Sequence, residues 1–317
     1  MLAGFGVRGP GIALDVQGGP AADDPGGRAV MELGVVFPQT EIGNDPIAIR
    51  DFAQAAEGLG FGHLLAYDHV LGADPDRPGG WQGRPYDKDT PFHEPFVLFG
   101  YLAGCTTTLE FVSAVIILPQ RQTALVAKQA AEVDVLSSGR LRLGVGTGWN
   151  EVEYEALGEN FHDRGKRQEE QIELMRRLWA EESLSFEGRW HRVTKAGINP
   201  RPEATIPIWL GGMAEAVIDR AARIADGWMP LAGPNDASKQ VIEKIHAGLE
   251  QAGREPEDFG IQAQAQVRGG DPDRWRKHAA AWERLGATHL AIATMNAGLA
   301  TPEAHIDAIR RYREALS

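Results

Sequence analysis

The sequence predicts an α/β fold, a single (β/α)8 barrel of the TIM type with loop insertions. Three observations carry that expectation. From residue 31 onward, short apolar runs alternate with stretches of helical periodicity eight times. Strands joined through helices pair in parallel, and eight parallel strands close around a filled interior. Composition does not shift along this alternation, so residues 31–317 read as one domain, and a length of 317 residues suits one barrel, which needs about 250 residues and tolerates insertions. An open doubly wound parallel sheet is the alternative that the same alternation permits.

Residues 1–30 stand apart. They are dominated by Gly, Pro, Ala and Asp and lack the basic start and apolar core of a secretory signal, so they are expected to be a disordered or non-native N-terminal extension, with Met31 as the natural start. The run from Glu32 to Phe37, closed by Pro38, has the look of a buried parallel strand. Ile49, Phe52, Ala53 and Ala56 then fall at i, i+3, i+4, i+7, the stripe of an amphipathic helix, and His63 to Tyr67 supply the second strand.

Residues 68–93 carry many Pro, Gly and Asp together with Trp81, Tyr86 and Phe92. That is too long for a plain connection, so a functional loop, a lid over the barrel mouth, is expected. A helix from Pro95 to Cys105 follows, then a strand from Leu109 to Leu118 whose apolar end must be covered on both faces, then a helix from Thr123 to Leu136 stopped at Ser137, Ser138 and Gly139. The fourth strand, Leu141 to Val145, opens onto Gly146 to Asn150. The helical sequence after it carries Ile172, Met175, Leu178 and Trp179 on one stripe, and its charged stretch from Arg164 to Glu173 reads as a solvated face. Residues 184–193 form a hairpin excursion turning at Glu187 and Gly188. Strands at Ile208–Leu210, Gly227–Met229, Ile261–Val267 and His289–Ala293, with helices at Ala214–Ala225, Ser238–Ala252, Pro272–Leu285 and Pro302–Ala315, complete the count.

Charge and cysteine content exclude several functions. With 32 basic and 44 acidic residues the net charge is −12, a field that repels phosphate backbones, and no Lys/Arg block overrides it, so nucleic acid is not an expected partner. One cysteine, Cys105, supports neither a disulfide nor a cysteine metal cluster. No apolar run reaches the roughly 18 residues a spanning helix needs, so no membrane association is expected and a cytoplasmic location is.

Barrels of this class carry their chemistry where the βα loops meet, at the carboxyl ends of the strands. The residues there are Gln39, the pair Asp68 and His69, the segment Ser113, Ala114 and Val115, the cluster Gly146, Thr147, Gly148, Trp149 and Asn150, the pair Gly211 and Gly212, and Asn296. His69 is suited to proton transfer near neutral pH, although an Asp-His dipeptide also serves as a simple loop cap. A metal centre is not expected, because the first strand offers Phe-Pro-Gln where a His-x-His pair would be needed and the last strand has no Asp. Gly144, Gly146 and Gly148 do not have dinucleotide-fold spacing. They serve either a turn needing positive φ or close backbone approach to a flat ligand with Trp149 as its wall, and both readings stay open. Gly211 and Gly212, opening a helix, offer backbone amides and a helix dipole to a phosphate, or else form an ordinary βα turn. Trp209, Trp228 and Met213 read as core.

The stretches Tyr67-Asp68-His69-Val70, Phe92-His93-Glu94-Pro95-Phe96, Ile117 to Gln122, Ala127 to Ala131, Gly139 to Gly146 and Trp149 to Tyr154, in that order, resemble the bacterial-luciferase-like family. More closely, the set is similar to its coenzyme F420-dependent class of oxidoreductases, from Met31 to at least Pro230. The resemblance implies a barrel, usually dimeric, that binds a deazaflavin or flavin across its mouth. It further implies a non-prolyl cis peptide at Ala114-Val115 pressing on the middle of the ring, Asp68 at the ring's polar edge, Gly146 to Gly148 along its flank and Gly211 with Gly212 at the phosphate.

On this resemblance the expected reaction is hydride transfer between C5 of coenzyme F420 and a small organic substrate, with His69 moving the accompanying proton. Alternatives are an FMN-dependent two-component monooxygenase using O2 and a flavin-binding barrel without turnover. The sugar-phosphate dehydrogenases of the class carry a tryptophan after the Asp-His pair and a glutamate after the Gly-Thr-Gly turn, where this chain has Gly72-Ala73 and Trp149. An apolar substrate in a pocket lined by Gln39, Trp81 and Trp149, with Tyr86 and Phe92 close by, is expected instead.

Overall fold

The computed structural model describes residues 31–317, and the expectation for residues 1–30 lies outside the described residues. The first half alternates β1 (Glu32–Val36), α1 (Pro46–Gly58), β2 (His63–Ala66), α2 (Pro95–Ala103), β3 (Glu110–Ser113), β4 (Ile116–Ile117), α3 (Thr123–Ser137) and β5 (Leu141–Gly146). Then come α4 (Glu151–Ala156), α5 (Arg164–Ala180), the antiparallel pair β6 (Leu184–Glu187) and β7 (Arg192–Ala196), β8 (Ile208–Gly211) and α6 (Glu215–Ile224). β9 (Gly227–Met229), α7 (Asp236–Gln251), β10 (Gly260–Gln266), α8 (Pro272–Arg284), β11 (His289–Ala293) and α9 (Pro302–Leu316) follow.

The strands lie in the order β3-β2-β1-β11-β10-β9-β8-β5-β4, all parallel, and β3 also pairs with β5, so the sheet is a closed barrel of eight staves. One stave is broken. β3 pairs with the start of β5 and β4 with its end, and between them runs the cis peptide Ala114-Val115 at the place the resemblance implies.

Alternation along each strand builds two cores. In β1, Val35 packs outward among the helices while Val36 points into the barrel with Leu65, Val112, Trp209, Met229, Ala291 and Ala293. The outer layer takes the helix stripes, and α1 buries Ile49, Phe52, Ala53 and Ala56 as its spacing predicts. Its start is fixed by Asp45, whose side chain accepts the Ile47 amide, and by Pro46 at the first helical position.

At the amino-terminal end the interior closes on a polar floor. Arg142, buried, pairs with Glu110 and donates to Gln262 (3.1 Å), and its guanidinium lies 4.4 Å over the Trp209 ring. His63, fully buried, meets Glu32 at 2.8 Å, and its ring fills the space a side chain at Gly34 would need. Glu32, His63 and Glu110 lie close enough for a cation, but the Arg142 guanidinium already supplies positive charge there. The Trp209 indole covers Gly227 and Gly260 so closely that an added Cβ would sit 2.3 Å and 2.0 Å from it.

The stretch from Arg164 to Glu173 is not the solvated face its charge suggested. Arg167, Gln168 and Gln171 are buried, because α5 lies under the loop that follows β4. Arg167 pairs with Glu159 (2.7 Å) and Asp163 (3.3 Å) and donates to the Pro119 carbonyl. Glu170 accepts the amides of Arg189, Trp190 and His191 from the turn of the β6-β7 hairpin. Among the described residues no helix is long and apolar enough to cross a membrane.

Candidate active site

A cavity of about 760 Å³ opens at the carboxyl ends of the strands. Its lining gathers Asp68, His69, Ala114, Val115, Gly146, Thr147, Gly148, Trp149, Gly211 and Gly212, segments up to 144 positions apart in the chain (Asp68 to Gly212, 212 − 68). Gln39 and Trp81 are not among the lining residues. The Gln39 side chain is fully buried, donating to the Tyr67 carbonyl (3.0 Å) and accepting the Tyr67 amide (2.9 Å). It ties the first βα loop to the end of β2.

Trp81 stands behind Trp149, stacked at 5.7 Å and 21°, with its indole N–H donated to the Tyr86 carbonyl (2.6 Å). The Arg84 guanidinium lies 5.5 Å from each of the two indoles. The long loop thus braces one exposed aromatic wall, Trp149, and does not line the pocket with four separate rings.

His69 is held by neighbours from three places. Its ring packs 3.9 Å from Tyr86 and 4.7 Å, edge to face, from Phe92. Its Nδ1 is 3.4 Å from Glu153 Oε1, and it has no other polar partner. Glu153 is itself buried, on the first turn of α4, and accepts the amides of Val70 (2.8 Å) and Leu71 (3.4 Å), which directly follow His69. The α4 cap, Asn150, accepts the Val152 amide and donates to the Tyr86 hydroxyl at 2.7 Å. Burial, and next the Glu153 charge, push the Tyr86 phenol well above its ordinary range, so it stays protonated.

Asp68, expected at a ring's polar edge, lines the cavity, and its carboxylate also has partners within the protein. It takes Arg121 through two nitrogens (2.6 and 3.2 Å) and the Ile117 amide (3.0 Å), with Arg121 reaching on to Glu94 (3.1 Å). Asp68 therefore anchors β4, and with it the Ala114-Val115 segment, to the end of β2.

The glycines resolve into two kinds. A Cβ at Gly146 or Gly211 would lie 2.5 Å or 2.8 Å from the Val115 side chain, so their bareness makes room for the broken stave. Gly148 (φ 63°) and Gly212 (φ 136°) hold backbone that other residues rarely adopt. After Gly212 the α6 helix begins at Ala214, which offers no side-chain cap; the Val217 amide bonds the Ala214 carbonyl (2.8 Å), and the Glu215 and Ala216 amides are left to an outside acceptor. The turn reading is thus met at Gly148 and Gly212.

Sequence reasoning passed over several lining residues. Tyr67 donates to the Gln264 side chain (2.8 Å), and burial pushes its phenol up to about 12. Met213 borders the cavity although it reads as core, and Gln264, Arg274 and His278 line it as well. The available signal was position: Gln264 and Gln266 alternate along a strand end, and Arg274 and His278 open the helix after it. Ser113 is buried and donates to the Gly144 carbonyl, and Asn296 (φ 60°) gives its amide to Glu41 (2.7 Å); neither lines the cavity.

Comparison with known proteins accords with this geometry. The family model described as luciferase-like monooxygenase matches residues 31–317. An F420-dependent hydroxymycolic acid dehydrogenase of Mycobacterium tuberculosis is 30% identical over 290 residues, 89% of this chain and 75% of that one. An FMNH2-dependent dimethylsulfone monooxygenase of Pseudomonas fluorescens is 32% identical over 201 residues, 62% of this chain and 51% of that one. Among solved structures, an F420-dependent secondary alcohol dehydrogenase superposes with a TM-score of 0.71 at 18% identity, covering 90% of this chain and 99% of the other.

Proposed function

Because this chain belongs to the luciferase-like monooxygenase family, we propose that it is an oxidoreductase that holds coenzyme F420 in the cavity at its barrel mouth and acts on an organic substrate with an apolar body. The observation that carries the reading is the convergence of His69, Val115, the Gly146–Gly148 turn and the Gly211–Gly212 turn on one space of about 760 Å³. Sites for cofactors and small ligands run from about 300 to 1,000 Å³, so that space suits a flat heterocycle with a small substrate beside it.

The residues fit such a group. Val115 lines the cavity, with its side chain seated in the room that Gly146 and Gly211 leave bare, so it is the surface on which a planar ring would rest. The uncapped start of α6, with the Glu215 and Ala216 amides, suits a phosphate, as anions favour a helix amino terminus. When bound, coenzyme F420 supplies hydride acceptance or donation at C5 of the deazaflavin.

The chain's own residues supply position and a proton path. Glu153 beside Nδ1 favours the imidazole tautomer protonated on that nitrogen and turns Nε2 toward the cavity as the proton acceptor or, in the reverse direction, donor. Tyr86 and Phe92 pack on that imidazole, and Trp149, which lines the cavity, offers apolar surface to the substrate.

Titrating the purified protein with coenzyme F420 and with FMN, followed by cofactor fluorescence, tests the reading. Saturable F420 binding in the micromolar range or tighter supports it, and no binding of either cofactor sinks it. The 32% identical FMNH2-dependent relative favours a second reading, reduced FMN with O2 in the same site. Substrate-dependent oxygen consumption with reduced FMN, and none with F420, decides for it.

A further inference from the structure

The part of the cavity wall that follows β10 carries charge that the proposed reaction does not use. Arg274 and His278 stand one turn apart on α8 and line the same cavity as the Gly211–Gly212 turn. Side chains at i and i+4 share a helix face, about 5–6 Å apart at Cβ, so one small anion reaches both. The one carboxylate in the lining, Asp68, is matched by Arg121 at 2.6 Å.

Arg274 has no ion pair or hydrogen bond among the described residues. The acids nearest in sequence are committed elsewhere: Asp273 pairs with Arg276 (2.5 Å), and Asp271 caps the Asp273 amide (3.0 Å). His278 is oriented by its Nε2 donating to the Gln264 carbonyl at 3.1 Å, which leaves Nδ1 without a partner in the protein, able to donate to an anion when both ring nitrogens carry a proton. In a chain of net charge −12, an unmatched guanidinium beside an oriented imidazole on the wall of the main cavity is placed for an anionic group.

We propose that Arg274 and His278 form a second anion subsite, separate from the glycine turn at Gly211–Gly212, that takes a carboxylate or phosphate group of a bound ligand. The proposal rests on the reading of this cavity as a ligand site, while the subsite itself needs no particular cofactor. Two sources carry the same chemistry: the glutamate carboxylates of coenzyme F420, which FMN lacks, or an anionic substituent on the substrate. The apolar substrate body expected from Trp149 would in the second case end in a charged group.

The experiment has two arms. In the first, wild type, Arg274→Gln and Arg274→Lys are titrated with coenzyme F420, with FMN and with the deazaflavin core lacking phosphate and tail. F420 binding weakened about 10-fold in Arg274→Gln, partly restored by Lys and without change for FMN or the core, assigns the subsite to the cofactor's carboxylates. In the second arm, run on protein without cofactor, the His278 ring proton resonances are followed by NMR during titration with benzoate and with inorganic phosphate.

Saturable shifts with either probe that vanish in Arg274→Gln, together with unchanged F420 affinity, assign the subsite to the substrate. If neither probe moves His278 and Arg274→Gln leaves F420 affinity unaltered, there is no such subsite. Because the NMR arm needs no cofactor, it gives an answer even where the cofactor reading fails.

Discussion

His69 owes its geometry to a residue 84 positions away in the chain (153 − 69): Glu153 holds the amides that follow it and sits 3.4 Å from its Nδ1. His69→Ala should lower turnover by about 10²–10⁴ while leaving cofactor affinity nearly intact, since the ring serves proton transfer and not anchoring. Steady-state kinetics beside a fluorescence titration separate the two effects. Glu153→Gln keeps an acceptor for Val70 but removes the charge facing Nδ1. The ¹⁵N resonances of His69 should then show a mixed tautomer and the pH–rate profile should move, with KM little altered; an unchanged profile would return Glu153 to a purely structural role. At this scale the sequence was half legible. Strand-end position found His69, both glycine turns and the Ala114-Val115 segment, but it tells which residues stand at the mouth and not where each side chain points. Gln39 therefore turned back onto Tyr67 and Trp81 behind Trp149, while Glu153 was hidden because an acid in a charged helical stretch reads as solvent-facing.

Among elements, the broken third stave has the tightest demands. A Cβ at Gly144 would lie 1.9 Å from the Ser113 carbonyl oxygen, a backbone atom that cannot swing aside, whereas one at Gly146 meets the Val115 side chain at 2.5 Å. Gly144→Ala should cost more stability than Gly146→Ala, with overpacking losses of about 1–3 kcal/mol as the reference, read from urea unfolding midpoints. The two adjacent helices α2 and α3 expose Val97, Tyr101, Leu125 and Leu136, a concentration of apolar surface on one side of the barrel. The family resemblance implies a dimer, and we propose this face for it from its exposed apolar residues; sedimentation should show a dimer that Val97→Glu with Leu125→Glu converts to monomer. Element order was legible throughout because strand runs and helix stripes such as Ile49, Phe52, Ala53 and Ala56 repeat strictly. The division of the fourth helical segment into α4 and α5 was not, nor was the burial of Arg167, Gln168 and Gln171, since both depend on which loop lies over α5.

For the molecule as a whole, the polar floor sets a dependence on acidity. Burial, and next the Arg142 charge, push the His63 imidazole down to about 3, and the same two causes lower His289. Both are neutral in the fold, while in the unfolded chain they take up protons near pH 6.5. The unfolded state therefore binds more protons in between: stability is full above about pH 6.5 and falls as pH drops toward 3, by up to about 1.4 kcal/mol per pH unit for each histidine. Melting temperatures measured from pH 7 to 4.5 should decline steadily, and His63→Gln should flatten that decline. The closed barrel, legible from eight repeats alone, gave no hint of this layer, because the strand starts that build it, Glu32, His63, Glu110 and His289, are polar residues which in isolation read as loop edges. The same floor constrains descent. While the Trp209 indole occupies the room above Gly227 and Gly260, neither glycine can acquire a side chain, yet shrinking Trp209 first would open a void. Mutational routes away from this arrangement are thus ordered, with position 209 changing before the other two. Across a deep set of homologous sequences, bulk at 209 and glycine at 227 and 260 should covary.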